Sequence, residues 1–137
     1  KMSKSLGNHI ELAATPEETS ARVKTAFTDP QRLRRTDPGR PEICNVYALH
    51  KLFNPDRLDD VYEKCISAQL GCVDDKQLMA DGINKTLESF RERRREFVEK
   101  PGYVEEVLRE GARRARTIAR ETLTEVRERM GISEAAL

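Results

Sequence analysis

Apolar side chains recur at intervals of three and four along most of this chain, and proline, glycine and short polar residues break the pattern into helical lengths. Ile10-Glu11-Leu12 alternates but is too short to be more than an isolated extended piece or a turn. Thr15-Pro16-Glu17-Glu18 combines an N-cap threonine, a proline at the first helical position and a glutamate that completes a capping box. A helix is predicted from there to about Phe27, with Ala21, Val23, Ala26 and Phe27 on one side and Arg22 and Lys24 facing out. Thr28-Asp29-Pro30 stops it, because the residue before a proline is driven out of the α region. Residues 29–41 read as a loop that is rich in turn formers and carries Arg32, Arg34, Arg35 and Arg40. Its charge alone suits a solvated linker.

Pro41-Glu42 opens a second predicted helix with Ile43, Val46, Tyr47, Leu49, His50 and Phe53, ended near Asn54-Pro55. A third begins around Asp56, carries Leu58, Val61, Tyr62, Cys65, Ile66 and Leu70, and stops at Gly71. Asp74-Asp75 starts a fourth, with Leu78, Ile83, Leu87, Phe90 and Phe97, broken by Lys100-Pro101-Gly102. The last runs from about 103 to 130 and ends at Gly131. Val107, Leu108, Gly111, Ala115, Ile118, Thr122, Leu123 and Val126 form its apolar stripe. No fixed-period repeat occurs. The expected fold is mostly α, a small helical bundle behind an N-terminal loop.

At 137 residues, 37% hydrophobic and 36% charged, the chain suits helices with wide solvated faces around a modest core. A net charge of +1 argues against a uniformly basic nucleic-acid binder and leaves local patches to be sought. No apolar run approaches a membrane span and no secretory leader is visible, so a cytoplasmic protein without a membrane partner is expected. The chain opens on Lys1, not on an initiator methionine, and is expected to begin inside something longer.

The most specific chemistry is Lys1-Met2-Ser3-Lys4-Ser5, followed by Leu6-Gly7-Asn8. Two ammonium groups three positions apart, with small hydroxyls between and a glycine hinge after, suit a loop that closes over a polyphosphate. On the fourth helix Arg91, Arg93, Arg94 and Arg95 cluster. On the fifth, Arg109, Arg113, Arg116 and Arg120 are spaced four, three and four, on one side. Interleaved glutamates make either ion pairing on a solvated face or RNA contact a consistent reading. Cys44, Cys65 and Cys72 are too few for a disulfide framework. They read either as small buried residues on two helices and a turn, or as a three-thiolate site completed by a carboxylate or water. His50 reads as a packed helix residue, and His9 has no motif-like spacing to the cysteines. No other phosphate-loop, nucleophile-elbow or zinc-protease motif occurs.

The opening octapeptide resembles the second signature of class I aminoacyl-tRNA synthetases. Thr28-Asp29-Pro30, Arg34-Arg35-Thr36-Asp37-Pro38-Gly39, Pro41 to Tyr47, His50-Lys51-Leu52-Phe53, Gly71-Cys72-Val73-Asp74 and Gly111 to Arg116 extend the resemblance, over essentially the whole chain, to bacterial tryptophanyl-tRNA synthetases. The resemblance implies that Lys1, Met2, Ser3, Lys4 and Ser5 form an ATP-binding loop, with Lys4 and Lys1 catalytic in adenylate formation and ATP with Mg2+ as substrate. It implies three segments: 1–14, the signature loop at the edge of a catalytic domain; 15–42, a linking helix and basic loop; and 43–137, a helical tRNA anticodon-binding domain. Arg91, Arg94, Arg95, Arg109, Arg113, Arg116 and Arg120 become candidate contacts to tRNA(Trp). A homodimer is implied for the intact enzyme, and this piece alone is expected to be inactive, since the Rossmann-type half that would hold tryptophan and adenine is absent from it. One branch of the family carries a four-cysteine iron–sulfur cluster here, matched by Cys44, Cys65 and Cys72. Asp75 stands in the fourth cysteine's place, so the thiols are read as a relic or partial site. The alternatives are a non-catalytic tRNA-binding helical module and an iron–sulfur-containing variant of the same domain.

Overall fold

The computed structural model describes residues 2–132. Among these, the regular structure is all helical: α1 (Pro16–Lys24), α2 (Asn45–Phe53), α3 (Leu58–Ile66), α4 (Cys72–Val98) and α5 (Pro101–Arg129). Single 3-10 turns at Pro41–Ile43 and Pro55–Arg57 lead into α2 and α3. The mostly α reading holds. No helix is long and apolar enough to cross a membrane. The chain forms two compact units, Lys1–Arg93 and Arg94–Leu137.

The predicted capping box starts α1. The Glu18 N–H donates to Thr15 Oγ1 (3.2 Å), and the Thr15 N–H donates back to Glu18 Oε2 (2.8 Å). The helix ends at Lys24, short of Phe27, because the Thr25 hydroxyl and N–H both turn back to the Arg22 carbonyl. Its inward positions are therefore Thr19 and Val23, while Ala21 is exposed and Phe27 half-exposed. The second helix likewise begins later than predicted, since proline and Glu42 close a 3-10 turn before Asn45. The third ends earlier: Ala68 takes a left-handed conformation (φ 59°), and the Leu70 N–H reaches the Lys64 carbonyl, so Leu70 lies beyond the helix.

The first unit's core consists of Val23, Cys44, Val46, Met79, Ala80 and Ile83, with Ile10, Ala26, Tyr47, Leu49, Phe53 and Leu87 packed around it. α1 runs antiparallel to α4. The Lys76 ammonium donates to the Lys24 carbonyl at the end of α1 (2.9 Å), while Asn84 Nδ2 reaches the Pro16 carbonyl (3.2 Å) at its start. The inward stripe of α4 is Asp75, Met79, Ala80, Gly82 and Ile83. Phe90, predicted to face inward, is exposed.

A buried polar pair joins α2 to α4. His50, fully buried, donates from Nε2 to Asp75 Oδ1 (2.9 Å), and its Nδ1 accepts from Asn54 Nδ2 (3.0 Å), which also donates to the Leu78 carbonyl (3.3 Å). A carboxylate can only accept, which sets these directions. Asn54 lies directly over Gly82, where a Cβ would fall inside its side chain.

The loop before α2 is equally tied. Arg40 grips Asp29 through Nε (2.9 Å) and Nη2 (2.6 Å), the Gln31 N–H donates to Asp29 Oδ1 (2.9 Å), and the Arg34 N–H donates to Asp37 Oδ2 (2.7 Å). The Gly39 N–H donates to the Cys65 carbonyl (3.0 Å), which binds the loop to the end of α3. The Arg40 guanidinium holds the Asp29 carboxyl down to about 2, against the opposing effect of burial, and the Gln31 N–H adds to it.

In the second unit α5 buries no residue. Val107, Leu108, Ile118 and Leu123 of the predicted apolar stripe are all exposed. Glu110–Arg113 (2.7 Å) and Glu125–Arg129 (2.6 Å) pair along its surface. The predicted stop at Gly131 is present, at φ 70°, with the Ile132 N–H donating to the Arg127 carbonyl (2.8 Å). Phe97 stacks on Tyr103, with centroids 6.0 Å apart and planes 9° from parallel.

Gly82→Ala should destabilise the first unit by about 1–3 kcal/mol, since displacing Asn54 outweighs the helix propensity that alanine gains. Thermal melting checks this; an unchanged or raised Tm would remove the steric role of Gly82. Asp29, depressed in the folded state, should stabilise fully above its unfolded value near ~3.9 and lose that contribution as pH falls through about 2. Melting followed from pH 5 to 2 should therefore show an acid limb that Asp29→Asn flattens.

Candidate functional site

Of the five-residue signature, Lys1 lies outside the described residues. The rest forms a tight surface loop. The Gly7 N–H donates to the Lys4 carbonyl (3.1 Å), and Gly7 sits at φ 61°, a conformation that excludes most side chains. The Ser3 N–H donates to Asn8 Oδ1 (2.7 Å), and the Ser3 and Ser5 hydroxyls bond to each other (2.7 Å). Arg22 of α1 donates to the Gly7 carbonyl and so fastens the base of the loop to the helix. Lys4 is exposed and forms no ion pair among the described residues. An ammonium on a long stem above a fixed base can meet an anion from a range of directions. Beside the loop is an open hollow of about 490 Å³, lined by Met2, Asn8 and Ile10 on one side and by Val23, Phe27 and Leu49 among others on the other.

The seven candidate arginines are placed unequally. Arg91 is turned into the first unit, where its guanidinium donates to Thr19 Oγ1 (2.9 Å) and Asn84 Oδ1 (3.0 Å) and holds α4 to α1. Arg94 and Arg95, at the end of α4, are exposed. So are Arg109, Arg113, Arg116 and Arg120, which share one side of the continuous helix α5. Arg109, Arg113 and Arg116 line a common depression with Tyr103 and Val107. Arg113, exposed, is paired with the half-exposed Glu110, a surface contact worth little in water.

Cys44 is buried in the core cluster, and burial pushes its thiol above the ordinary value. Cys72 is the first residue of α4, not part of a turn. Between Cys65 and Cys72 lies the guanidinium of Arg32, whose Nη1 is 3.8 Å from one sulfur and 3.7 Å from the other. Burial raises the Cys65 thiol, and the Arg32 charge partly offsets this. Asp75, the candidate fourth ligand, is buried and held by His50. An iron–sulfur cluster does not fit these residues: the position between two of the thiols holds a cation, and no group of three or more His, Cys, Asp or Glu side chains among the described residues is arranged to hold a metal ion. Neither Arg32 nor the His50–Asp75 pair was visible as a site in the sequence. His50 and Asn54, four apart at the C-terminal end of α2, are the one local spacing that hints at the network.

The family profile described as tRNA synthetases class I (W and Y) matches residues 1–88. The tryptophan–tRNA ligase of Aquifex aeolicus is 44% identical over 134 residues, covering 96% of this chain and 34% of the relative. That of Thermotoga maritima is 40% identical, covering 96% and 41%. The crystal structure of the Campylobacter jejuni tryptophanyl-tRNA synthetase complexed with ADP and tryptophan superposes with a TM-score of 0.85 at 28% identity, over 96% of this chain and 41% of that one. The chain thus spans well under half the length of these relatives. With the signature loop inside the matched region and the helices superposing on those of a solved synthetase, the chain belongs to the class I tRNA synthetases of the tryptophan and tyrosine group.

Proposed function

We propose that this chain is the C-terminal part of a cytoplasmic tryptophan–tRNA ligase, which activates tryptophan with ATP and charges tRNA(Trp). The observation that carries the reading is the complete signature Lys1 to Ser5 on a chain of this family, with Lys4 exposed above a loop base that Gly7 and Arg22 hold. In adenylation, the tryptophan carboxylate oxygen bonds to the α-phosphorus of Mg2+-ATP while the bond to the bridging oxygen breaks and pyrophosphate leaves with the electron pair. Lys4 and Lys1 meet the charge that develops on that leaving group, where a stabilising cation acts on rate more than on ground-state affinity. Met2, Ser3 and Ser5 shape the loop around the phosphates.

Residues 1–14 serve the catalytic domain, 15–42 link it onward, and 43–137 form the domain that approaches the tRNA anticodon. Tryptophan and the adenosine moiety are held by the remainder of the intact enzyme, which acts as a homodimer. On this reading the exposed arginines Arg94, Arg95, Arg109, Arg113, Arg116 and Arg120 face RNA phosphates. Arg91 contributes by holding α4 to α1 and not by direct contact, as its two internal hydrogen bonds support.

In the intact enzyme, Lys4→Ala should reduce ATP–pyrophosphate exchange by about 10²-fold or more with tryptophan affinity little changed; near-normal exchange would remove Lys4 from the transition state. Replacing Arg113 and Arg116 together by alanine should weaken tRNA binding and reduce the slope of log affinity against log salt by about 2. Filter binding across a salt series reads this, and an unchanged slope would place the RNA elsewhere.

A further inference from the structure

We infer that the guanidinium of Arg32 is the structural centre of the thiol pocket in this chain, a cation–sulfur staple that holds the arginine loop to α3 and α4 in the position a metal cluster would take. The staple is independent of the proposed catalytic role.

The planar fork of Arg32 meets acceptors from four segments. Nη1 faces Cys65 Sγ on α3 and Cys72 Sγ at the start of α4, at 3.8 and 3.7 Å. Nη2 donates to the Leu70 carbonyl (2.8 Å) between those helices, and to the Arg35 carbonyl (3.1 Å) within its own loop. Nε is buried without an acceptor, so the two Nη groups do all of the holding. One residue thereby closes the turn between α3 and α4 and ties it to the loop 33 residues earlier in sequence from Cys65. A lysine could not reproduce this, because a single ammonium cannot address two sulfurs and two carbonyls in one plane.

The surroundings are shaped to this occupant. Around Arg32, Gly39, Cys44, Cys65, Cys72 and Asp75 the remaining hollow is about 10 Å³, room for no more than one water. Gly39 is buried against Arg32 Nη1 and Cys65 Sγ, and a Cβ there would press on both. The loop can pass this close only because residue 39 has no side chain. Asp75, on the wall of this hollow, is engaged through Oδ1 by His50. Three thiols, a bound carboxylate and an inserted cation make a site closed to iron and organised around nitrogen donors.

Two measurements on the 137-residue chain test this. After anaerobic purification and reconstitution with ferrous iron and sulfide, the chain should carry far less than one iron, and its melting temperature should not change; stoichiometric iron with acid-labile sulfide would overturn the inference. Arg32→Ala should lower Tm by roughly 5 °C or more, and should speed the reaction of Cys65 and Cys72 with a disulfide reagent by about tenfold as local opening becomes easier. Unchanged melting and thiol reactivity would equally overturn it. Should Arg32→Ala fail to fold, Arg32→Lys is read instead: it keeps the charge but loses the fork, and must melt below the parent chain, whereas a Tm equal to the parent's would refute the staple.

Discussion

The first unit depends on the hydrogen bond between His50 and Asp75. It buries two polar groups between α2 and α4, and losing either partner would leave the other short of a hydrogen bond in the core, at a cost of about 1–3 kcal/mol. That requirement fixes the rotation of both helices. Asn54 must follow His50 by one turn to occupy its other ring nitrogen, and position 82 must then be a glycine for Asn54 to fit. With α4 set in this way, Met79, Ala80 and Ile83 fall into the core beside Cys44 and Val46. Lys76, Asn84 and Arg91 are brought against α1.

The same bond decides what the thiols can do. The carboxylate beside the sulfurs accepts from a buried imidazole, and the cation nearest the sulfurs is a side chain. The loop's arginines therefore divide by task. Arg32 turns inward to bind sulfur and carbonyl, Arg40 and Arg35 pair from the surface with Asp29 and Asp74, and Arg34 is exposed. A segment whose composition suggests a solvated linker is held at both ends by guanidinium groups.

Local chemistry was legible. The capping box of α1, the break at Lys100-Pro101-Gly102 and the glycine stop of α5 each involve residues within a turn of one another, and each appears as read. Helix existence also followed from the period of the apolar positions, and the signature loop from its own residues. Boundaries were less accessible. Thr25 and Ala68 end their helices by side-chain or left-handed turns that hydrophobic spacing does not report. The inward faces were read only in part: His50 packs inward as its place on the helix implies, but Thr19 and Asp75 are buried because distant partners satisfy them, at separations of 72 residues for Thr19 with Arg91 and 25 for Asp75 with His50. No window along the chain contains both members. Charge hides function in the same way, since Arg32 and Arg91 look like surface cations until their acceptors are known.

The left-handed Gly7 and the arginine that holds its carbonyl divide the N-terminal segment into an anchor and a reach. Arg22 fastens the chain to α1 at Gly7, so the signature departs from a point set by that helix. Lys4 lies three residues before that point, a reach of at most about 11 Å of extended backbone, so its ammonium group stays near one fixed pivot. Placement of α1 against α4 therefore sets where the Lys4 charge stands, and a change deep in the helical core would shift its aim.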